Sequence, residues 1–294
     1  AEHFDHQVAG INHMAWFLSI RDRRDGRDLN PILRANIEKP KYYANEKVRA
    51  EVMRHFGYFM TESTGHLSEY LPWFRSSKKA LETYCDEPGF GGESGAYYNY
   101  CRMLDEKYRG VDYLKYESPL IGERSVEYCS YILEAMVTDR PFLLNGNVKN
   151  EGFIANLPSG VCVEIPVYVD GRGLHPLRVG ALPPQCAALN QSNITVQALA
   201  AQAAISGDPE LVMQAVAMDP LTSACTTLAG VREMCAAMFQ AEAEWLPQFQ
   251  GKRLRSCPAV KIPKNLKRVE VPVDPALAIA NRFAVLATQQ TAKS

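Results

Sequence analysis

No C-x-x-C pair occurs among the eight cysteines of this 294-residue chain, which argues against a zinc knuckle or a thioredoxin-type redox pair. Cys85, Cys101, Cys129, Cys162, Cys186, Cys225, Cys235 and Cys257 are scattered through helix-like and strand-like segments, as buried free thiols of a reducing compartment are. No apolar run reaches the roughly 20 residues that a membrane span needs. No charged-then-apolar leader with a cleavage site is found. The formal net charge is only −1, so no basic face for nucleic acid is advertised. Internal repeats and low-complexity stretches are missing too. Nowhere does a strand run through G-x-G-x-x-G into a helix, so no nucleotide-binding half is expected within the chain. These absences leave a cytoplasmic protein of ordinary composition, 47% hydrophobic and 22% charged, with neither nucleic acid nor membrane as partner.

Two stretches do not read as plain core. Val8–Ile20, VAGINHMAWFLSI, is apolar almost throughout yet carries Asn12 and His13 side by side. A buried amide and imidazole need partners, or each costs a few kcal/mol. Gly10 permits close approach of a backbone or a ligand. The second stretch is FGYFMTESTGHLSEYLPWF at 56–74, where Tyr58, Glu62, His66, Glu69 and Tyr70 are interleaved with Phe56, Phe59, Leu67, Leu71, Trp73 and Phe74. Such a mixture suits a pocket wall for a polar ligand with apolar faces, such as a sugar.

The remainder reads as scaffold. Asn45 is expected to cap a helix through Glu46–Phe56 that Gly57 ends. A helix is expected near Tyr97–Lys107 and another over 121–138. Between Pro141 and Leu189, short strands at Leu143–Val148, Gly152–Leu157, Val161–Val169 and Leu177–Ala181 alternate with turns at Pro158-Ser159-Gly160 and Asp170-Gly171. Asn145, Asn147, Asn150 and Asn156 read mostly as turn residues. Ser192 or Asn193 is expected to cap a helix running through Ala204 to Gly207. Asp208-Pro209 and Asp219-Pro220 restart helices, and a long helix spans roughly Leu228–Trp245. Residues 251–294 are expected to be a partly ordered tail with one short helix at Pro275–Leu286, leaving 1–250 as the domain.

AGINHMAWFL at 9–18, TESTGHLSEYLPWF at 61–74, NGNVKNEGFIANLPSGVCVEIPVYVD at 145–170, HPLRVGALPPQCAALNQSNITVQALAAQAAISGD at 175–208 and AMDPLTSACTTL at 217–228 together resemble glycoside hydrolase family 4, within it the α-galactosidase and α-glucosidase group. The resemblance implies an α+β fold like the C-terminal domain of lactate and malate dehydrogenases, helices packed on an antiparallel sheet. It implies NAD and a divalent metal, typically Mn2+, in place of the carboxylate pair of most glycosidases. The family oxidises the sugar at C3, takes the acidified C2 proton with a base and eliminates the glycosidic oxygen. His13 falls on the family's metal histidine, and Asn12 and His66 are implied as substrate contacts. The resemblance implies a catalytic tyrosine base beyond that histidine, for which Tyr58 is the candidate and Tyr70 the alternative.

The family's metal cysteine and its dinucleotide-binding domain lie upstream of the matching segments. The chain opens on Ala1. It is therefore expected to be the C-terminal part of such an enzyme, with one metal ligand, no NAD site and no activity alone. The substrate expected is an α-linked sugar without a 6-phosphate, and the assembly a homo-oligomer. A relative acting on α-glucuronides or galacturonides, and a non-catalytic oligomerisation or binding remnant, stand as alternatives.

Overall fold

The computed structural model describes residues 3–88, 91–112, 115, 124, 125 and 127–267. The chain divides into two compact units, 1–254 and 255–294. Residues 255–267 of the second unit form no helix or strand. The short helix expected at 275–286 lies outside the described residues, as do 121–123 and 126 at the start of the helix expected over 121–138.

The run Val8–Ile20 is a β-hairpin. Strand β1 (Phe4–Ile11) pairs antiparallel with β2 (Met14–Asp22), and Ile11 lies opposite Met14, so Asn12 and His13 form the turn. Val8 through Ile11 and Met14 through Trp16 are all buried. With both faces covered, no alternation of apolar and polar residues is required, and the sequence shows none. Gly10 proves to accommodate a backbone rather than a ligand: a Cβ there would lie 2.4 Å from the Met14 oxygen and 2.6 Å from the Ala15 Cα.

Among the described residues the helices that follow are α1 (Asn30–Ile37), α2 (Pro40–Tyr43), α3 (Lys47–Phe56), α4 (Thr64–Leu67), α5 (Lys78–Tyr84), α6 (Ala96–Tyr108) and α7 (Cys129–Thr138). Strands β3 (Phe142–Lys149), β4 (Cys162–Asp170) and β5 (Gly173–Pro176) complete one sheet of order β2-β1-β4-β3, with β5 also on β4 and every ladder antiparallel. Helices α8 (Pro184–Ser206), α9 (Pro209–Met218), α10 (Pro220–Cys225) and α11 (Leu228–Ala241) close the first unit. This is the expected α+β class, with helices against an antiparallel sheet. No described helix is long and apolar enough to cross a membrane.

Several expectations need correction. Gly152–Leu157 is a loop, folded around the buried Asn150. The Asn150 amide donates to the carbonyls of Ile154, Leu157 and Pro158 at 3.0–3.1 Å, and its oxygen accepts from the Ile154 N–H. The last strand is Gly173–Pro176 rather than Leu177–Ala181, because the Asp170-Gly171 turn is tight and pairs Val169 with Leu174. Helix α8 starts at Pro184, not at Ser192. Its first turn needs no N–H from that proline, and Asn193 instead donates to the Tyr70 carbonyl at 3.2 Å. Helix α11 ends at Ala241, short of Trp245. Of the eight free cysteines only Cys85, Cys186 and Cys235 are buried. Burial pushes the Cys186 thiol up to about 12, leaving it inert.

Asn45 does not cap α3. The flanking residue is Glu46, which makes no side-chain cap bond, and Gly57 ends the helix in the left-handed conformation. The helix's leading Val48 and Arg49 N–H groups instead donate to the Thr64 hydroxyl at 3.1 and 3.3 Å. A cap supplied from 15 or more residues away ties α3 to the start of α4. Thr64→Val is expected to lower stability by about 0.5–2 kcal/mol, read as a lower urea midpoint at unchanged slope, while Thr64→Ser retains most of it.

Beneath these elements lies one main core, with Trp16, Met60, Leu67, Leu71, Ile154 and Ile165 among its fully buried members. The Trp16 indole N–H donates to the Asn190 oxygen at 3.0 Å, and the Asn190 amide donates to the Met14 carbonyl at 2.7 Å. Helix α8 is thereby bolted to the hairpin just behind its turn.

Candidate functional site

The turn of the hairpin holds His13 with φ at +63°. The left-handed region costs an L-residue on the order of 1–2 kcal/mol. Among the described residues the only other non-glycine there is Asp139, whose carboxylate is engaged by the Gly171 N–H. A strained histidine is tolerated where surrounding contacts fix it, and such positions concentrate at functional sites.

Residues 59–61 run alongside β2. The Phe17 N–H donates to the Phe59 carbonyl at 2.9 Å, and the Thr61 N–H to the Ala15 carbonyl at 3.0 Å. This short pairing delivers Glu62 to the hairpin turn. The one-turn α4 then places residues four apart on common faces. Leu67 and Leu71 enter the core, while Glu62, His66 and Tyr70 turn to His13.

Glu62 accepts a hydrogen bond from His13 Nδ1, and its other oxygen lies 3.8 Å from His66 Nδ1. The His13 and His66 rings are 4.5 Å apart between centroids. Tyr70 stacks on His13 at 5.8 Å with an interplanar angle of 12°, and its hydroxyl lies 3.2 Å from His66 Nε2. Burial alone would raise the Glu62 pKa, but hydrogen bonds from His13 and the Ser63 N–H outweigh it and hold the carboxyl below its usual range. Tyr70 moves the other way: burial, then the negative charges of Glu69 and Glu62, keep its phenol protonated to higher pH.

One ligand atom from each of His13, Glu62 and His66 lies within 4.8 Å of the other two. Two imidazoles and a carboxylate so gathered can share a divalent transition metal. The structure thus brings His13, His66 and Tyr70 into one cluster. Tyr58 packs on the main core, as Tyr70 does, but among the described residues it has no hydrogen bond or ring contact with His13 or His66 like those of Tyr70. Asn12 is exposed at the turn, and its side-chain oxygen accepts from Asn147 on β3 at 3.3 Å.

Glu164 was not anticipated. It lies on β4 opposite both Gly10 of β1 and Asn147 of β3. Burial raises its pKa, the Glu62 charge adds to this, and His13 partly offsets it. The signal in the sequence was the alternation of β4, in which Val163, Ile165, Val167 and Val169 form the buried face and Glu164 is the first acid on the other. Asn147, within the expected strand Leu143–Val148, pairs directly with this acid on the same side of the sheet.

Comparison with known proteins identifies the surroundings of this cluster. A profile of the family 4 glycosyl hydrolase C-terminal domain matches residues 8–222. An α-galactosidase of Bacillus subtilis (strain 168) is 39% identical over 84% of this chain and 56% of its own length. An α-galactosidase of Rhizobium meliloti (strain 1021) is 37% identical over 83% of this chain and 51% of its own. Among solved structures, a 6-phospho-α-glucosidase from gut microorganisms in complex with NAD and Mn2+ superposes with a TM-score of 0.56 at 19% identity, over 82% of this chain and 56% of that one. The chain spans about half the length of the curated relatives it matches.

Proposed function

Because this chain belongs to the family 4 glycosyl hydrolases through their C-terminal domain, we propose that it forms the substrate and metal side of an α-glycosidase of the α-galactosidase type. Identity of 37–39% to two α-galactosidases favours unphosphorylated α-galactosides over uronides as substrates. The observation that carries the reading is the meeting of His13 and Tyr70, drawn from the two sequence stretches that looked least like core, as stacked rings 5.8 Å apart.

The donor chemistry at the hairpin turn fits a divalent cation, since the His13, Glu62 and His66 ligand atoms are mutually within 4.8 Å. His13 is the residue that would hold it. Such a cation supplies Lewis-acid polarisation of sugar oxygens. Asn12, backed by Asn147, and His66 offer hydrogen bonds to sugar hydroxyls. Tyr70 rather than Tyr58 would receive the C2 proton on its phenolic oxygen, in the phenolate form, which burial and the Glu69 and Glu62 charges disfavour and the charge of a bound cation would favour. Its hydrogen bond with His66 aims that oxygen, and its stack on His13 keeps it beside the polarised oxygens.

The described residues do not fit NAD. Their strand ladders are antiparallel, and none of them forms a glycine-rich turn between a parallel strand and a helix. Hydride transfer is therefore assigned to no residue here, and the nucleotide is held by residues other than those described. The complete enzyme acts in the cytoplasm as a homo-oligomer.

Two measurements test this. Titrated with NAD, the 294-residue chain is expected to give no saturable micromolar binding and no turnover. The complete enzyme, offered α-galactosides, α-glucosides, α-galacturonides and their 6-phosphates, is expected to prefer the first. Preference for uronides or phosphorylated sugars overturns the substrate assignment, and turnover of none overturns the reading.

A further inference from the structure

We propose that Arg75 is a positioning residue, which sets the aim of His66 and Tyr70 from behind. The inference rests on the reading of Tyr70 as proton acceptor for its kinetic consequence alone. The Arg75 side chain is 11% exposed. Its Nε donates to the Ser68 hydroxyl at 2.7 Å, one Nη to the Gly92 carbonyl at 2.7 Å and the other to the Ser94 hydroxyl at 3.5 Å. One guanidinium thus ties the end of α4 to residues 92–94, which lie beyond α5 in the chain.

Helix α4 needs such a brace. It is four residues long, and a single helical turn does not hold itself in water. Yet it carries His66 and leads directly into Tyr70, whose hydroxyl meets His66 Nε2 at 3.2 Å. That is the long end of the hydrogen-bond range, so a small tilt of the turn breaks the contact. On its buried side the turn is gripped twice. Ser68, wholly buried, donates its hydroxyl hydrogen to the Gly65 carbonyl at 2.5 Å, which leaves the oxygen lone pairs to Arg75. Gly92 has φ at +101°, and a Cβ there would lie 3.1 Å from the Gly65 Cα, so the backbone of this loop lies close against the turn. The Arg75 backbone is held as well: its carbonyl accepts from Cys225 Sγ, at the end of α10, at 3.8 Å.

The chemistry favours positioning over plain stabilisation. Glu69, the carboxylate paired with Arg75, is 3.8 Å away, beyond hydrogen-bond distance. The guanidinium donors are met by neutral oxygens instead. Burying a charge in this way returns little stability. What it returns is geometry, since a planar fork reaches several acceptors in fixed directions and the point charge of a lysine does not.

The test has two arms. In the 294-residue chain, the imidazole 15N resonances of His66 are expected to shift in Arg75→Gln in the direction seen in Tyr70→Phe. Those of His3, His6, His55 and His175 stay in place, and circular dichroism establishes that the variant is folded. In the complete enzyme, Arg75→Gln is expected to lower kcat about 10²-fold, the cost of a misplacement of about 1 Å, with KM unchanged. Ser68→Ala removes one acceptor with little change in volume and is expected to move both readouts the same way by less. Should Arg75→Gln fail to fold, Ser68→Ala decides. A merely structural role would lower the urea midpoint and leave the His66 resonances of the folded variants where they are, and that result overturns the inference whatever the kinetics. Shifted His66 resonances with wild-type kcat would uphold the brace and remove Tyr70 from the chemistry, so the two readings fail separately.

Discussion

Tyr70→Phe in the complete enzyme is expected to lower kcat by about 10²–10⁴-fold, the usual contribution of a positioned acid or base, with little change in KM. Phenylalanine keeps the ring that stacks on His13 and removes only the oxygen that meets His66, so substrate binding and fold are preserved. Tyr58→Phe is expected to leave kcat unchanged, since the contacts to His13 and His66 belong to Tyr70. The reverse pattern would return the role to Tyr58. The pH dependence has a definite sign. Burial and the charges of Glu69 and Glu62 raise the Tyr70 pKa, so the deprotonated, proton-accepting form grows in as pH rises. Glu69→Gln removes one of the two carboxylates opposing it, and the ascending limb of the kcat profile is expected to move to lower pH. A limb that stays in place in Glu69→Gln and persists in Tyr70→Phe belongs to another group.

Trp16→Ala carries the largest expected cost in stability, about 3–5 kcal/mol for truncating a fully buried Trp. The loss has two parts. A cavity opens behind the hairpin turn, where Trp16 is wholly buried, and the Asn190 oxygen loses its donor. Trp16→Phe separates them. It retains much of the volume but still strands the Asn190 acceptor, for an expected cost of about 1–3 kcal/mol. Urea titration of the folded variants measures both. Equal losses in the two variants would mean that the hydrogen bond, not the packing, holds α8 to the hairpin.

The elements that the sequence made legible are those with local causes. Gly57 and Gly207 end helices in the left-handed conformation, and Asp208 and Asp219 cap through their own carboxylates. The Pro158-Ser159-Gly160 and Asp170-Gly171 turns bounded β4 to within a residue of the observed strand. What failed has distant causes. Asn45 lost the α3 cap to Thr64, which no spacing rule could find. Asn150 turned an expected strand into a loop by gathering three carbonyls. The start of α8 was missed because two adjacent prolines look like a break, although the second merely opens the helix. In the site, the oddness of Asn12-His13 in an apolar run and the histidine and tyrosine of the second stretch were visible. Their convergence depends on residues 59–61 lying against β2, a pairing with no signature of its own. Glu164 stayed hidden because a lone acid in a strand reads as its solvent side.

The bolt between Trp16 and Asn190 joins residues 174 positions apart. At about 5–20 residues per second of synthesis, Trp16 emerges from the ribosome roughly 9–35 seconds before its partner. During that interval Met60, Leu67 and Leu71 can already pack with Trp16, but its indole N–H lacks the Asn190 acceptor. The hairpin that carries His13 is therefore among the last elements of this unit to be secured, although it precedes the other described elements along the chain.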